Sequence, residues 1–277
     1  FLAPSLILFF SFVFIPLFKS IQLSMYITNP IGVPAKFVEF KNYTRLFETP
    51  DFLNSLKRSL QFIAYTVPVT IFVSFILALL GNLNLKRIDI FRMAFSITIA
   101  VSGATASLMF AYIYHPTVGV NYLLGLIGLP KVAWLVSDKT ALLSIAITTI
   151  WLQLGLNTVI LLAAIQTIPE ELYESAMIDG ANYWHRLTHI TIPMVSSTFF
   201  FLLVVDILAA FQTFTPIHIM TQGGPLKSTN LLVYSIYREF YFNGVYGFAA
   251  AQSIMLFFIM LFLTIMQFVF VERKVYY

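Results

Sequence analysis

The residues best suited to chemistry in this 277-residue chain are a few polar side chains set into long apolar stretches. An ionisable group in such a stretch costs several kcal/mol, so it tends to mark a solute pathway. Asp206 is the only acid in any of these stretches, and helical spacing places it on one face with Ala210, Thr213 and Ile217. A second stripe at similar spacing contains Thr149, Gln153, Leu156 and Ile160. Both stripes predict hydrogen bonding to a polar solute.

Each of these groups also has a purely structural interpretation. The amide of Gln153 could bond across to a neighbouring helix, and the Asp206 carboxylate could be neutralised by a partner subunit or a water-filled crevice. Gly103 is a further candidate for the solute path, although its surroundings favour close helix packing over binding. The small residues around it are Ser102, Ala104 and Ala106.

Motifs for catalysis and nucleotide binding are missing from the sequence. It contains no G-x-x-x-x-G-K-[ST] phosphate loop, so ATP hydrolysis must come from another polypeptide and the chain is not expected to be an enzyme. It also lacks H-E-x-x-H, G-x-S-x-G and a pair of intramembrane acids, which disfavours a membrane-embedded hydrolase. A channel or an ion-coupled secondary carrier stays an alternative, which rings of charge or broken helices at mid-span would favour.

Composition places the chain among polytopic membrane proteins. Hydrophobic residues make up 59% and charged residues only 10% of it, whereas about a quarter of residues in soluble domains are charged. The net charge of +4 is spread over loops, which indicates neither a nucleic-acid surface nor a polybasic lipid patch. Because Cys is absent and His115 and His218 have no second ligand at a suitable spacing, no metal site is predicted.

Six apolar runs are long enough to cross a bilayer, which takes about 20 helical residues. They cover approximately residues 1–25, 59–81, 92–114, 140–166, 194–220 and 247–271. The first run has no charged segment before it and no cleavage site, which predicts a truncated span rather than a signal peptide. Residues 28–58 predict a loop with short helices. We therefore expect an all-α protein with six transmembrane helices.

The longest polar interruption in the second half is residues 170–193, EELYESAMIDGANYWHRLTHITIP. Thr167 and Glu170 form a capping-box pattern, so a helix should begin there, and Gly180 can take the left-handed conformation that ends it. A second amphipathic helix follows, with apolar spacing at Tyr183, Leu187 and Ile190. Together the helices offer a ridge of small residues that can enter a groove of another protein. The ridge contains Ser175, Ala176, Gly180 and Ala181.

Eight residues of this segment stand at the spacing of the EAA loop of ABC importer permeases. They are Glu174, Ala176, Asp179, Gly180, Ala181, Leu187, Ile190 and Pro193. The chain thus resembles this family, in which the loop is a coupling helix that docks into a cleft of the cytoplasmic ATPase subunit. An ordinary amphipathic juxtamembrane loop is the alternative. The resemblance assigns ATPase coupling to Glu174, Ser175, Ala176, Asp179, Gly180 and Ala181, where Ser175 replaces the middle Ala.

The resemblance extends over nearly the whole chain. Trp134, Asp138 and Trp151 look like the fourth-span region of carbohydrate-importer permeases, and Thr221–Pro225 looks like their T-x-G-G-P turn. The C-terminal part is similar to the glycerol-3-phosphate permease branch, which also contains many sugar permeases. Its matching residues include Tyr237, Arg238, Glu239, Ala250, Ala251, Gln252 and Ser253.

Similarity to the maltose-type permeases implies a set of substrate contacts. Aligned without gaps, four residues of this chain take positions that contact sugar in those permeases. They are Thr149, Gln153, Asp206 and Thr213. Leu156 and Ala210 depart from the pattern, because the corresponding positions there are aromatic or amide residues.

The resemblance also implies an architecture and a set of partners. It predicts a MetI-like permease fold in which residues 1–277 form one transmembrane domain. Residues 1–58 would hold the first span and an external segment, and residues 59–271 a five-span core that includes the EAA loop, 168–193. The expected partners are a second permease subunit, two cytoplasmic ATP-binding subunits, an extracytoplasmic solute-binding protein and membrane lipid, but no nucleic acid. No cofactor is expected in this chain, because ATP and Mg²⁺ would belong to the ATPase.

The orientation of the spans follows from the loops. Six spans put loops 82–92, 168–193 and 272–277 on one side, where Lys and Arg are denser than in the opposite loops. This density favours that side as cytoplasmic, in agreement with the EAA resemblance. The predicted location is the inner membrane of a bacterial or archaeal cell.

Residue types in the spans bear on the solute. No Lys or Arg lies between Met93 and Pro130, between Thr140 and His185, or between Leu187 and Leu226. The third to fifth spans therefore offer no cationic side chain at mid-depth for a phosphate ester, which Asp206 would also repel. We expect a permease for a neutral mono- or oligosaccharide, with glycerol 3-phosphate or another polyol phosphate as the alternative.

Overall fold

The computed structural model describes residues 2–274, and α-helices dominate this range. The first half contains α1 (Ala3–Phe9), α2 (Ile15–Ser24), α3 (Lys41–Glu48), α4 (Pro50–Gly81), α5 (Ile88–Ser96), α6 (Gly103–Ile113) and α7 (Val120–Leu126). The second half contains α8 (Ala141–Gln166), α9 (Glu170–Ile178), α10 (Tyr183–Arg186), α11 (Ile192–Met194), α12 (Ser196–Phe211), α13 (Thr215–Met220), α14 (Leu232–Tyr237) and α15 (Tyr246–Phe270). Short π-helical turns cover Phe10–Phe14, Leu187–Thr191 and Arg238–Phe242, and 3₁₀ turns cover Ile97–Ala100 and Glu272–Lys274. The predicted all-α class is confirmed.

Five helical segments between residues 2 and 274 are long and apolar enough to cross a membrane. They are Ala3–Ser24, Pro50–Gly81, Ala141–Gln166, Ser196–Met220 and Tyr246–Phe270. A bent pair, Ile88–Ala100 with Gly103–Ile113, forms a sixth apolar segment. The second span begins earlier than the predicted residue 59, because Pro50 suits the first helical position and starts α4 there.

The third predicted span, 92–114, is not one continuous helix. Its two halves meet at an angle of 105°. Val101 and Ser102 are extended between them, and the Ser102 hydroxyl accepts a hydrogen bond of 3.2 Å from the Thr105 backbone N–H. This is an N-cap, so α6 begins as a new helix inside an apolar run. The apolar run predicted at 92–114 is therefore present as a bent pair of helices.

One compact unit combines residues 2–60 with Asn230–Phe262. It contains a hairpin that the sequence analysis did not predict, in which β1 (Tyr26–Thr28) pairs antiparallel with β2 (Pro34–Phe37). The Asn29 side chain closes the turn by accepting a hydrogen bond of 2.8 Å from the Val33 N–H. The short helix α3 after the hairpin agrees with the predicted loop with short helices.

Polar side chains fasten the hairpin within this unit. The buried Asn42 amide donates to the carbonyls of Ser24 and Tyr26, at 2.8 and 3.1 Å. Gly247 on α15 lies so close to the Tyr26 carbonyl that a Cβ could not fit there. In the same unit the Ser59 hydroxyl accepts a hydrogen bond of 2.8 Å from the Leu232 N–H.

The second compact unit consists of Gln61–Thr229 together with residues 263–274. Its apolar core joins α4, α5, α8 and α12. The buried members are Ala78, Phe95, Leu161, Leu162, Ile165, Ile168, Val195 and Leu202. The predicted division of the chain into 1–58 and 59–271 stays a prediction, and α4 runs through that point without interruption.

Candidate functional site

The loop between α8 and α12, residues 167–195, is the first candidate site, and we call it the coupling loop. Its first helix, α9, begins at Glu170 as predicted, with Glu170 and Glu171 in the first turn. The predicted capping box is wrong, because α9 has Pro169 at its N-cap with no side-chain cap. Thr167 instead ends α8 and its hydroxyl donates to the Ala164 carbonyl at 2.8 Å.

Gly180 ends α9 in the left-handed conformation that the sequence predicts, with φ of 81°. The Gly180 N–H donates to the Met177 carbonyl at 3.1 Å, and the Ala181 N–H donates to the Ala176 carbonyl at 2.8 Å. These two bonds form a Schellman motif, which satisfies the last carbonyls of the helix. No heavy atom of the described chain lies within 4 Å of a Cβ built on Gly180, so the backbone conformation alone requires glycine there.

The predicted second helix of the coupling loop also forms. The Asn182 side chain caps it by accepting a hydrogen bond of 2.8 Å from the His185 N–H, and helical structure continues from α10 through a π-turn into α11. Between the two helices lies an open groove of about 430 Å³. It is lined by Ala176, Asp179, Gly180, Ala181, Asn182, His185, His189 and Ile190.

Four of the six predicted coupling residues therefore line one groove, and the other two lie beside it. Glu174 and Ser175 are exposed on α9 and do not line the groove. Large apolar side chains stand out on the same loop, since Ile178 is 87% and Trp184 is 70% exposed. An apolar surface around a small-residue groove is suited to a protein partner. The role of these residues stays a prediction.

The coupling loop is joined to the spans by packing and by one hydrogen bond. The Tyr173 hydroxyl on α9 lies 3.0 Å from the Thr191 hydroxyl of the second helix. Tyr173 and Ile190 both pack against the apolar core of their unit, which includes Ile165 of α8 and Val195 just before α12. A displacement of α9 would therefore reach the ends of α8 and α12 that border this loop.

The second candidate site is a set of polar groups between α8 and α12. The Asn157 amide on α8 donates a hydrogen bond of 2.6 Å to the Asp206 carboxylate on α12, and both side chains are buried. Asp206 is a predicted path residue, whereas Asn157 was not predicted. The signal was present, because Asn157 follows Gln153 by one helical turn. The predicted stripe continued to Leu156 instead, and that side chain is 50% exposed.

The other predicted path residues lie along the same two spans. Thr149 is buried, and its hydroxyl has no hydrogen-bond partner within residues 2–274. The Gln153 carbonyl oxygen is equally unpartnered there, so a bond across to another helix of the described chain is not formed. Thr213 lies in the interruption between α12 and α13, and its hydroxyl donates to the Ala209 carbonyl at 3.2 Å. Unpartnered buried acceptors are suited to a hydroxyl-bearing ligand.

Gly103 does not have the close-packing role considered for it. A Cβ built on Gly103 meets no heavy atom of the described chain within 4 Å, and the residue opens α6. Close packing occurs at Gly155 instead, where a Cβ would collide with the Thr98 hydroxyl and the Phe95 carbonyl. The Gly155 N–H donates to the Thr98 hydroxyl at 3.1 Å. Glycine here lets α8 approach the bent third segment.

The loops at the other ends of the spans enclose a cavity of about 430 Å³. Trp134 lines it, stacks on Tyr114 with ring centroids 5.4 Å apart, and donates its indole N–H to Asn121 at 3.2 Å. The T-x-G-G-P turn reaches the same cavity through Thr221, whose hydroxyl lies 2.8 Å from that of Thr229. Residues of the family resemblance thus meet at this end.

Comparison with known proteins identifies a family and several relatives. The family described as "Binding-protein-dependent transport system inner membrane component" matches residues 47–276. The chain is 34% identical over 272 residues to the probable ABC transporter permease protein YurN of Bacillus subtilis, covering 96% of this chain and 93% of that protein. It is 33% identical over 278 residues to the sn-glycerol-3-phosphate transport system permease protein UgpA of Pectobacterium atrosepticum, covering 99% and 93%.

The fold has a counterpart among solved structures. A chain of a bacterial ABC transporter involved in the import of the acidic polysaccharide alginate superposes with a TM-score of 0.80 at 24% identity, covering 96% of this chain and 93% of that one. At this identity the match shows the fold alone. The break in the third segment, which sequence reasoning associated with secondary carriers, is therefore compatible with a permease fold. The chain belongs to the family of inner-membrane components of binding-protein-dependent transport systems.

Proposed function

We propose that this chain is the permease subunit of an ABC importer and forms the translocation path for a neutral sugar that an external solute-binding protein delivers. The coupling loop is the observation that carries the proposal. It places a small-residue groove at the ends of α8 and α12, and its own core packing leads into those two spans. Such an arrangement can receive a movement from a partner and pass it to the solute path.

The partners follow from what the chain offers. Two cytoplasmic ATPase subunits would bind ATP and Mg²⁺. A second permease subunit would complete the path, since this chain alone leaves Leu156 and other apolar side chains of its spans exposed. The chain itself performs no chemistry in this proposal. Its location would be the inner membrane of a bacterial or archaeal cell, with the coupling loop on the cytoplasmic side.

Transmission begins at the groove of the coupling loop. When a partner moves α9, the hydrogen bond between Tyr173 and Thr191 and the packing of Ile190 transfer that movement to the second helix of the loop. Both helices touch the core shared by α8 and α12. These spans carry Asn157 and Asp206, so the solute-binding groups move with the loop.

The polar groups of the path favour a neutral, hydroxyl-rich solute. Asp206 accepts a hydrogen bond from an amide and has no ion pair with a cation among the described residues. A carboxylate in this state can accept hydrogen bonds from sugar hydroxyls, and it repels phosphate. The unpartnered oxygens of Thr149 and Gln153 add further acceptors on α8.

Glycerol 3-phosphate is the second candidate, because a relative of 33% identity is named as a permease for it. A partner permease could then supply the cations that the third to fifth spans lack. The two candidates differ in the charge of the solute, so one assay separates them.

The test is uptake by the reconstituted complex in proteoliposomes. We expect labelled neutral sugars to be taken up in preference to glycerol 3-phosphate, and Asp206→Asn to lower that uptake. If the phosphate ester is the preferred solute and Asp206→Asn leaves transport unaltered, the neutral-substrate assignment is wrong.

A further inference from the structure

Cationic side chains line two cavities beside Leu83, just after α4, on the side of the coupling loop. Two cavities meet at this leucine. One, of about 220 Å³, is lined by Arg186, Asn82 and Tyr183, and the other, of about 260 Å³, is lined by Lys86 and Arg87. The charges spread over the loops predict no polybasic patch, and Arg186 lies far along the chain from Lys86 and Arg87. The fold brings them around one residue.

Arg186 lacks a counter-ion in the described chain. Its Nε is buried and makes no hydrogen bond within residues 2–274. The ion pair found in this region joins Arg92 to Asp89 at 3.6 Å, and neither cavity is lined by an acidic side chain of the described residues. A guanidinium that lines a cavity without a carboxylate from the described residues is suited to binding an anion there.

Aliphatic side chains also line both cavities, beside the polar and aromatic ones. Leu79 and Ile165 line the cavity of Arg186, and Leu80 and Ile88 line its neighbour, with Leu83 common to both. Leu83 and the nearby Leu85 are 44% and 58% exposed. Apolar side chains at a span end would contact the acyl chains of a lipid, whereas a small soluble anion would make no such apolar contact. A guanidinium beside such a wall matches the phosphate of a phospholipid.

We propose that an anionic phospholipid binds here, with its phosphate on Arg186 and its acyl chains along the leucines of α4. Lys86 and Arg87 strengthen the attraction from the adjoining cavity. The lipid would lie in the cytoplasmic leaflet, which rests on the orientation given in the proposed function. The site is distinct from the groove of the coupling loop, because the Arg186 cavity and that groove share no lining residue. Since Tyr173 also lines the Arg186 cavity, a bound lipid would brace α9.

The site is tested by lipid retention of the purified complex in native mass spectrometry, titrated with phosphatidylglycerol or with phosphatidylcholine of the same acyl chains. We expect phosphatidylglycerol to be retained more strongly, and Arg186→Gln to weaken its retention about fivefold, as removal of one cation near an anionic headgroup predicts. Arg186→Lys should recover part of this loss, because it keeps the charge. Lys131→Gln is the matched control, since Lys131 is an exposed cation in the loop at the other ends of the spans.

Three results would overturn the proposal. Equal retention of the two lipids, or retention unaffected by Arg186→Gln, would show that Arg186 selects no anionic lipid. Displacement of phosphatidylglycerol by millimolar glycerol phosphate would indicate a site for a free anion. Loss of the ATPase subunit from the Arg186→Gln complex with unchanged lipid retention would indicate a protein contact. Lipid retention does not depend on transport, so a failed uptake assay would leave this result standing.

Discussion

The side-chain amide of Asn157 donates a hydrogen bond of 2.6 Å to the carboxylate of Asp206, across the contact between α8 and α12. Only 3% of Asn157 and 2% of Asp206 is exposed, so the bond is formed away from water within this chain. An amide orients a carboxylate without neutralising it, so Asp206 keeps acceptor lone pairs that an opening of the proposed path would present to hydroxyl groups. The pair is thus the structural centre of the proposed solute path.

Asn157→Ala should lower uptake of the preferred neutral sugar by about tenfold, because the hydrogen bond that positions a charged group is lost. The effect should be on the apparent affinity for sugar more than on the maximal rate. The measurement is sugar-dependent uptake by the reconstituted complex.

The reciprocal variant Asn157→Asp with Asp206→Asn is the control for this pair. It exchanges donor and acceptor while keeping both shapes, so it should recover part of the uptake that each single change removes. If the losses of uptake from the two single changes add up in the double variant, the two residues act separately.

Gly180→Leu should abolish uptake and release the ATPase subunit while the protein still inserts. The left-handed backbone at Gly180 disfavours a side chain by about 1 to 2 kcal/mol, and the leucine would project into the groove of the coupling loop. Co-purification of the ATPase with the permease checks the outcome.

Gly128→Leu is a matched control for that change. Gly128 has φ of 74°, open space at its Cβ and the same pair of helix-ending hydrogen bonds, but it lies in the loop at the other ends of the spans. It should carry a similar backbone strain and keep the ATPase bound. If both variants lose the ATPase equally, strain rather than docking explains the loss.

Gly155→Ala should destabilise the fold by about 1 to 3 kcal/mol, because the added methyl group meets the Thr98 hydroxyl and the Phe95 carbonyl. Gly103→Ala should have little effect on stability, since its Cβ would lie in open space. Thermal unfolding of the full purified complexes that carry each variant compares them. A larger loss in Gly103→Ala would mean that a partner chain packs against Gly103.

Tyr173→Phe should lower the number of sugar molecules taken up per ATP hydrolysed. The change removes the hydrogen bond to Thr191, worth about 1 kcal/mol, which helps to join the two helices of the coupling loop. Thr191→Val should act alike, and the double variant should be no worse than either. An unchanged ratio of uptake to hydrolysis in all three would remove this bond from the transmission path.

Local features of the coupling loop could be predicted because the sequence states them directly. A glycine after an amphipathic run predicts a helix end without knowledge of the rest of the fold, and Gly180 takes the expected left-handed conformation. The capping box failed because Thr167 could serve either helix, and Pro169 gave α8 its end and α9 its start. Whether Thr167 caps the end of α8 or the start of α9 depends on the path of the whole chain.

Features that depend on tertiary structure escaped prediction. The break at Ser102 lies in an apolar run, where hydropathy cannot distinguish a bent segment from a straight span. Asn157 faces Asp206 only because α8 and α12 pack side by side, and Arg186 lines a cavity with Leu83 only because the coupling loop returns to the end of α4. The partners of Asn157 and Arg186 lie far away in sequence, so the residue types alone did not indicate them.

The proposed function is tested by comparing solute accumulation in proteoliposomes that contain the full complex with accumulation in liposomes that contain this chain alone. With ATP and the solute-binding protein, the complex should accumulate a neutral sugar. The chain alone should bind no nucleotide and accumulate nothing under a proton or sodium gradient. Accumulation by the chain alone under an ion gradient, without ATP, would contradict the account and indicate a secondary carrier.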